Sequence, residues 1–201
     1  RMDLDGDIRV AGGSSAGLVG GLLGAAPRLS FEALRQADGA LLLERVDLTG
    51  QALTVTGSGG RNLVGALGFR GRAEITDASR LHKGARGRFG GPISASTART
   101  GAPWRLTFDG RGRGLSIGMD ELDRLLGATP RLQLTGALDG GRIAVEQAQL
   151  TGARGTASAR GLIEGDGRLR LALDWNATGP FGVGPVAIDG AMTGQGALTG
   201  T

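Results

Sequence analysis

Hydrophobic and polar residues alternate along much of this chain, a pattern typical of β-strands that have one apolar and one polar face. The clearest example is residues 169–175, where Leu169, Leu171, Leu173 and Trp175 alternate with Arg, Ala and Asp. A strand of this length spans about 23 Å. We therefore predict a strand here whose large apolar side chains share one face.

The run of residues before it keeps the alternation but changes phase. Ile143 and Val145 occupy one set of alternate positions, whereas Ala148 and Leu150 occupy the other. Because a slip of one residue moves every later side chain to the opposite face of a sheet, the chain must turn, bulge or change strand at residues 146–147. The pattern predicts a series of short or bent strands that are amphipathic across a sheet.

An internal repeat relates the two halves of the chain. Residues 22–29 read LLGAAPRL and residues 125–132 read LLGATPRL, which are identical at seven of eight positions. The match continues from GALLLERVDLTG at residues 39–50 to GRIAVEQAQLTG at residues 141–152, and the change of phase falls at the same place in both. The period of about 102 to 103 residues is far longer than that of leucine-rich, ankyrin or β-helix repeats.

The repeat predicts the domain organisation. We expect a first repeat unit over residues 1–103, and a second unit together with the start of a third over residues 104–201. The third unit is expected from the strand-like run at residues 183–198. The sequence shows neither a signal peptide nor a tail pattern, so we interpret the chain as a fragment of a longer protein.

One or two short helices are expected beside the strands. Residues 12–24 and 119–127 carry leucines at near-helical spacing, with Asp120 as the N-cap of the second segment and Gly127 at its end. Residues 1–10 alternate around an Asp-Gly-Asp sequence, which predicts two strand ends joined by a tight turn. Further strands are expected within residues 63–75, 89–93 and 104–109.

Composition narrows the possible classes of protein. Glycine accounts for 40 of 201 residues and aromatic residues for 3%, and there is no tyrosine. The glycines follow no Gly-X-Y period, which excludes collagen, and the recurring Leu, Ile and Val argue against disorder. The lack of cysteine excludes disulfides and thiolate metal sites. The scarcity of stacking aromatics argues against a nucleic-acid partner, although the formal net charge is +4.

The sequence contains no recognisable catalytic, cofactor-binding or metal-binding constellation. His82 is the sole histidine and stands among basic residues, which indicates a surface loop. The start of a helix explains Asp120, Glu121 and Asp123 better than a carboxylate pair or a calcium site does. Phosphate-binding glycine motifs and the GxSxG elbow do not occur. The basic residues within 80–88 indicate a solvated loop, with an anionic partner as the alternative.

The aliphatic strand faces leave two structural alternatives. Strands that are apolar on one side, without a compensating layer of helices, must pack on each other in a closed β core or hold something apolar in an open groove. A third alternative, a β-helical enzyme acting on polysaccharides, would need acidic residues clustered on one strand face. The sequence shows no such cluster.

The repeat LLGxxPRL, its LTG ends and the DGRGRG sequence at residues 109–114 resemble the interior repeats of TamB and AsmA-like envelope proteins of Gram-negative bacteria. The resemblance implies an all-β fold: an elongated, curved, mainly antiparallel sheet folded lengthwise into a trough, with one or two short helices. It also implies a non-enzymatic, periplasmic segment of a protein anchored in the inner membrane by parts outside this chain. Such proteins carry phospholipid acyl chains between the two membranes, support outer-membrane protein assembly, or do both. A BamA-like partner would bind through regions outside the chain.

Under this interpretation, the best alternating strands line the lipid groove, and no cofactor is expected. The predicted lining residues are Leu41, Leu43, Val46, Leu48, Ile143, Val145, Leu150, Leu169, Leu171, Leu173 and Trp175. The main rival is a glycine-rich right-handed β-helix of a surface or autotransporter passenger protein, an adhesin or structural element. That fold predicts coils of roughly 20 to 25 residues, and no repeat that short is found.

Overall fold

The computed structural model describes residues 2–10, 17–166, 168–183 and 186–200. Within these ranges, twelve strands form one large sheet and two short strands form a separate hairpin. The strands are β1 (Met2–Arg9), β2 (Arg28–Arg35), β3 (Leu41–Thr49), β4 (Leu53–Arg61), β5 (Leu67–Ile75), β6 (Arg86–Thr97), β7 (Trp104–Ser116), β8 (Arg131–Asp139), β9 (Arg142–Thr151), β10 (Gly155–Ile163), β11 (Leu169–Thr178), β12 (Phe181–Val183), β13 (Val186–Ile188) and β14 (Ala191–Gly200). The helices are α1 (Gly17–Leu23) and α2 (Asp120–Leu126), and one turn of 3-10 helix covers Ala78–Arg80.

The large sheet is an antiparallel meander. Its strands follow the order of the chain from β1 to β11, and β14 then pairs with β11 after the β12–β13 hairpin. Because β1 and β14 lie at opposite edges, the sheet is open. The expected all-β, mainly antiparallel fold is confirmed. The β-helix alternative is wrong, because its strands would pair in parallel, and the strands that the structure describes do not close into a core.

The two halves of the chain have the same order of elements. In each half, a strand leads into a short helix and further strands of the sheet follow: β1, α1 and β2 to β6 in the first half, and β7, α2, β8 to β11 and β14 in the second. β14 therefore pairs with β11 as β6 pairs with β5. The described part of residues 183–198, interpreted from sequence as a third unit, lies in the hairpin and in β14.

A β-bulge explains the change of phase in each repeat. The register of β9 shifts between Val145 and Ala148, where residues 146–147 lie opposite a single residue of β10. Both flanking side chains therefore point to the same face of the sheet. The predicted irregularity is confirmed, and β3 has the matching shift between Leu43 and Val46.

The first ten residues contain no turn at their Asp-Gly-Asp sequence. β1 runs unbroken from Met2 to Arg9 and pairs residue by residue with β2. Gly6 lies opposite Phe31, and a Cβ atom on Gly6 would come within 2.3 Å of the Phe31 ring. The expected turn is wrong because this glycine makes room for an aromatic ring and does not reverse the chain.

The start of α2 also differs from the prediction. Met119 is the N-cap and Asp120 is the first helical residue, so the predicted aspartate cap is wrong. The Asp123 carboxylate instead accepts hydrogen bonds from the Ser116 hydroxyl and the Ile117 amide, both at 2.7 Å. The predicted end is confirmed: Gly127 has φ of 67°, and its N–H donates to the Asp123 carbonyl.

One exposed apolar pair lies outside the strand predicted for residues 63–75. β5 begins at Leu67, whereas Leu63 and Val64 stand in the turn between β4 and β5. Their exposed fractions are 65% and 74%. The turn is held by hydrogen bonds from Asn62 N to Ala66 O and from Gly65 N to Asn62 O.

Much of the buried core lies at one end of the strands. This end, which we call the helix rim, carries both helices, the 3-10 turn and the β12–β13 hairpin, whereas tight turns connect the strands at the opposite turn rim. Leu22 of α1 is 4% exposed, and its carbonyl accepts a hydrogen bond from Ala52 N at 2.8 Å. In the second half, the Leu125 carbonyl accepts from Arg154 N at 2.9 Å. Other buried residues at this rim are Ala78, Ala85 and Pro130.

Candidate functional site

One face of the large sheet is apolar across all of its described strands. Directly paired residues of neighbouring strands point to the same side, so the pairing register assigns each residue to a face. The large apolar residues on the face that includes Leu171, which we call the apolar face, come from both halves of the chain. In the first half they are Met2, Leu4, Ile8, Leu29, Phe31, Leu41, Leu43, Val46, Leu48, Leu53, Val55, Leu67, Phe69, Ile75, Phe89 and Ile93. In the second half they are Trp104, Leu106, Phe108, Leu132, Leu134, Leu138, Ile143, Val145, Leu150, Ile163, Leu169, Leu171, Leu173, Trp175, Met192 and Leu198.

All of the residues predicted to line a groove lie on the apolar face. They belong to three strands, of which β3 lies far from β9 and β11 in the sheet, and β10 alone separates β9 from β11. β3 contributes Leu41, Leu43, Val46 and Leu48; β9 contributes Ile143, Val145 and Leu150; β11 contributes Leu169, Leu171, Leu173 and Trp175. The register connects these three groups through the intervening strands into one surface.

The aromatic part of this surface, apart from Trp175, was not predicted from the sequence. Phe31, Phe69, Phe89, Phe108 and Trp104 share the face with Trp175. The Phe89 and Phe108 ring centroids are 5.9 Å apart. These residues also alternate with polar ones in their strands, so the same pattern could have identified them. Because aromatic residues are few in the sequence, the composition did not indicate that they lie on one face of the sheet.

Glycines on neighbouring strands accommodate several of these aromatic rings. Gly194 of β14 lies opposite Trp175, and a Cβ atom there would come within 2.3 Å of the indole. Gly110 lies beneath two rings, and its Cβ would be 2.5 Å from Phe108 and 2.7 Å from Phe89. Part of the high glycine content therefore lets large rings lie against the backbone of a single-layer sheet.

The apolar face is left uncovered by the residues that the structure describes. Trp175 is 37% exposed, Leu41 38% and Leu198 48%, and most other large side chains on the face are half-buried. Val145, one of the predicted lining residues, is buried at 6% exposure. The accessible surface of the chain is 12528 Å². A compact monomer of 20.3 kDa would expose about 8,800 Å². The difference fits a sheet with two exposed faces.

Charged residues are segregated from the apolar face. In the body of the described strands, the apolar face carries no charged side chain, and Arg35 and Arg61 stand at its edge on the turn rim. The opposite face, which we call the polar face, carries alternating Arg, Asp, Thr and Ser residues. Its apolar exceptions include Leu34, Leu42 and Leu162. The sheet therefore separates an apolar surface from a charged one over its whole extent.

Ion pairs with arginine hold the Asp7 and Asp109 carboxylates of the polar face in their charged form. Hydrogen bonds from Arg28 lower the pKa of Asp7, and those from Arg131 lower the pKa of Asp109. Arg142 donates to Glu164 at 2.9 Å. These ion pairs lie on the polar face or at the turn rim, away from the apolar face.

The acidic cluster and the histidine considered from sequence have local structural roles. The Ser116 hydroxyl lowers the pKa of Asp123, whose hydrogen bonds fix the entry to α2. His82 is exposed before β6, and its carbonyl accepts a hydrogen bond from Ala85 N. In the part of the chain that the structure describes, no group of three His, Cys, Asp or Glu residues is arranged to hold a metal ion.

Comparisons with known proteins leave the family open. The chain matches no protein-family model, and searches of curated proteins and of solved structures also find no match. Among the described helices, neither is long and apolar enough to cross a lipid bilayer.

Proposed function

We propose that this chain is a non-enzymatic β-sheet segment that holds lipid acyl chains on its apolar face and lets them move along it. The observation that carries the proposal is the uncovered apolar surface, continuous through the described strands of the large sheet and without charge in their bodies. Exposed apolar patches beyond a few hundred Å² mark binding surfaces on soluble proteins. A surface of Leu, Ile, Val, Phe and Gly offers acyl chains contact area without a specific polar anchor.

The dimensions of the face suit an extended hydrocarbon chain. Twelve strands spaced about 4.8 Å apart extend over roughly 50 Å. One leaflet of a bilayer has hydrocarbon about 15 Å thick, half of the roughly 30 Å core. Each buried CH₂ group contributes about 0.8 kcal/mol. An acyl chain can therefore be held at many equivalent positions, and the similarity of neighbouring positions favours sliding.

The resemblance of the repeats to those of TamB and AsmA-like proteins suggests where in the cell this activity would take place. In the proposal, the chain is a periplasmic segment of an envelope protein that carries phospholipids between the inner and outer membranes, supports outer-membrane protein assembly, or does both. Membrane anchoring and contact with a BamA-like partner would be provided by regions outside this chain. The polar face, with its ion-paired Arg and Asp residues, would remain in water.

Lipid extraction followed by mass spectrometry tests the proposal. The purified wild-type chain is expected to retain phospholipid, and Leu171→Asp is expected to lose most of it, because a carboxylate interrupts the apolar face. Ala172→Asp is the matched control: it places the same charge on the next residue of β11, which is exposed on the polar face. That variant should retain lipid as the wild type does.

The circular dichroism spectrum and melting curve of each variant establish that it is folded. Absence of lipid from the wild type, or equal loss from two folded variants, would contradict the proposal. The two substitutions place the same charge on adjacent residues of β11 that point to opposite faces of the sheet.

A further inference from the structure

The polar face contains a cavity whose side chains are unusually basic. Its volume is about 760 Å³, and it extends across the strands from β5 to β9, beside the loop that follows α2. Its charged lining residues are Arg72, Arg111, Arg113, Arg131 and Asp109. Four guanidinium groups and one carboxylate therefore converge on one depression, which is separate from the apolar face.

The strand register brings arginines directly opposite one another here. Arg111 of β7 pairs with Arg131 of β8, and Arg113 pairs with Arg88 of β6. Like charges at directly opposed positions of an antiparallel sheet are destabilising. Two such pairs within three residues of β7 concentrate positive charge at this point of the polar face.

Protein groups neutralise only part of this charge. Arg131 donates from Nε to Asp109 at 2.8 Å, and this hydrogen bond lowers the pKa of the Asp109 carboxyl, which stays ionised at neutral pH. Arg72, Arg111 and Arg113 form no ion pair with any residue in the described ranges. The cavity lining therefore carries three guanidinium charges in excess.

The backbone keeps the cavity open. A Cβ atom at Gly90 would come within 2.6 Å of the Ala73 carbonyl oxygen, so no side chain can fill this position. Pro92, the next lining residue on the polar face, has no backbone N–H to donate to a neighbouring strand. On the opposite side, the hydroxyl residues Thr129 and Thr151 join the wall. The depression thus combines guanidinium groups with hydroxyl donors around a part of the sheet rich in glycine.

We propose that this cavity binds an anion that carries at least two negative charges on phosphoryl groups. Guanidinium groups bind phosphate oxygens in a bidentate, charge-assisted manner, and several of them around one cavity favour a polyvalent anion over a single carboxylate. The bound anion would offset the positive charge of the opposed arginines. The same chemistry is offered by a soluble diphosphate and by the phosphate of an anionic lipid headgroup.

Calorimetric titration of the whole chain with inorganic pyrophosphate at low ionic strength tests this site. We expect saturable, one-to-one binding that Arg111→Gln and Arg113→Gln each weaken roughly tenfold or more. Arg170→Gln is the control, because Arg170 is an exposed arginine on the polar face of β11, outside the cavity. It should leave the affinity unchanged.

The unliganded variants supply a second measurement. Because Arg111→Gln and Arg113→Gln each remove one member of an opposed like-charge pair, the free variants should melt at the same temperature as the wild type or higher. Non-saturable binding, or equal weakening by Arg170→Gln, would refute the site. So would a failure of pyrophosphate to bind.

Vesicles distinguish the two sources of the phosphate. If the natural ligand is a lipid headgroup, vesicles of phosphatidylcholine with phosphatidic acid should bind the chain through the same arginines, and pyrophosphate should compete. If it is a soluble diphosphate, the vesicles should bind no better than phosphatidylcholine alone while pyrophosphate still binds. Both results support the site, and each assigns a different source.

Discussion

Gly152→Ala should destabilise the chain by about 1–3 kcal/mol, because a Cβ atom there has no space. It would lie 2.5 Å from the Leu125 carbonyl oxygen and 2.7 Å from Leu126 Cα. These atoms belong to the end of α2, which packs directly on the turn between β9 and β10. Unlike a flexible side chain, this backbone cannot move aside without breaking the hydrogen bonds that join the helix to the turn.

Gly68→Ala is the matched control for that prediction. A Cβ atom at Gly68 meets nothing within 4 Å. Alanine at a position without steric conflict stabilises a fold by up to about 1 kcal/mol, since it restricts the unfolded chain. Urea unfolding of the two variants measures the difference. Equal stabilities would mean that the helix does not pack closely on the turn. Gly50, the equivalent of Gly152 in the first half, should behave as Gly152 does, since its Cβ would lie 2.7 Å from Leu23 Cα.

Leu22→Ala should cost about 2–5 kcal/mol, the range for a leucine truncated in a packed interior. Leu22 belongs to α1 and is 4% exposed, at the rim where much of the buried core lies. The expected loss is large because the surrounding helix and turn are joined by hydrogen bonds and cannot collapse into the space. Denaturant unfolding measures it directly.

Leu41→Ala removes the same atoms from the apolar face and should cost less than about 1 kcal/mol. Leu41 is 38% exposed, so its truncation leaves no closed cavity. If it destabilised the chain as much as Leu22→Ala does, the strand face would be a packed core and not an open surface. The pair of variants therefore separates the residues that hold the fold together from those available to a ligand.

Much of the sheet could be predicted from alternation alone. The period-two pattern of residues 169–175 became β11, and the phase change at residues 146–147 became the bulge in β9. These predictions succeed because the side-chain period of a strand is fixed by backbone geometry. The pattern alone leaves open whether the chain turns, bulges or changes strand there, and the structure shows a bulge that keeps Val145 and Ala148 on the same side.

Features that depend on distant partners were not predictable in this way. Gly6 was interpreted as part of a turn because its partner, the Phe31 ring, lies on another strand. Asp120 was interpreted as a helix cap, whereas Asp123 makes the hydrogen bonds that fix the helix entry. Local sequence offers both options, and tertiary contacts choose between them.

The two candidate sites differ in how well the sequence predicts them. The leucines of the apolar face could be predicted because the alternating pattern is visible within each strand. The basic cavity was not, because it forms only when Arg72, Arg111 and Arg131 are aligned across β5, β7 and β8. The sequence pointed instead to the basic residues within 80–88. The pairing register between strands brings these arginines together, and the sequence of a single strand does not determine that register.

Tryptophan fluorescence offers the most direct test of the central claim, that acyl chains lie on the apolar face. The chain's two tryptophans, Trp104 and Trp175, both lie on that face. We predict that phospholipid with brominated acyl chains quenches each tryptophan in the corresponding single-tryptophan variant, Trp175→Phe or Trp104→Phe. Lipid brominated only in the headgroup should quench much less. Binding of the brominated lipid without quenching of either tryptophan would contradict the account.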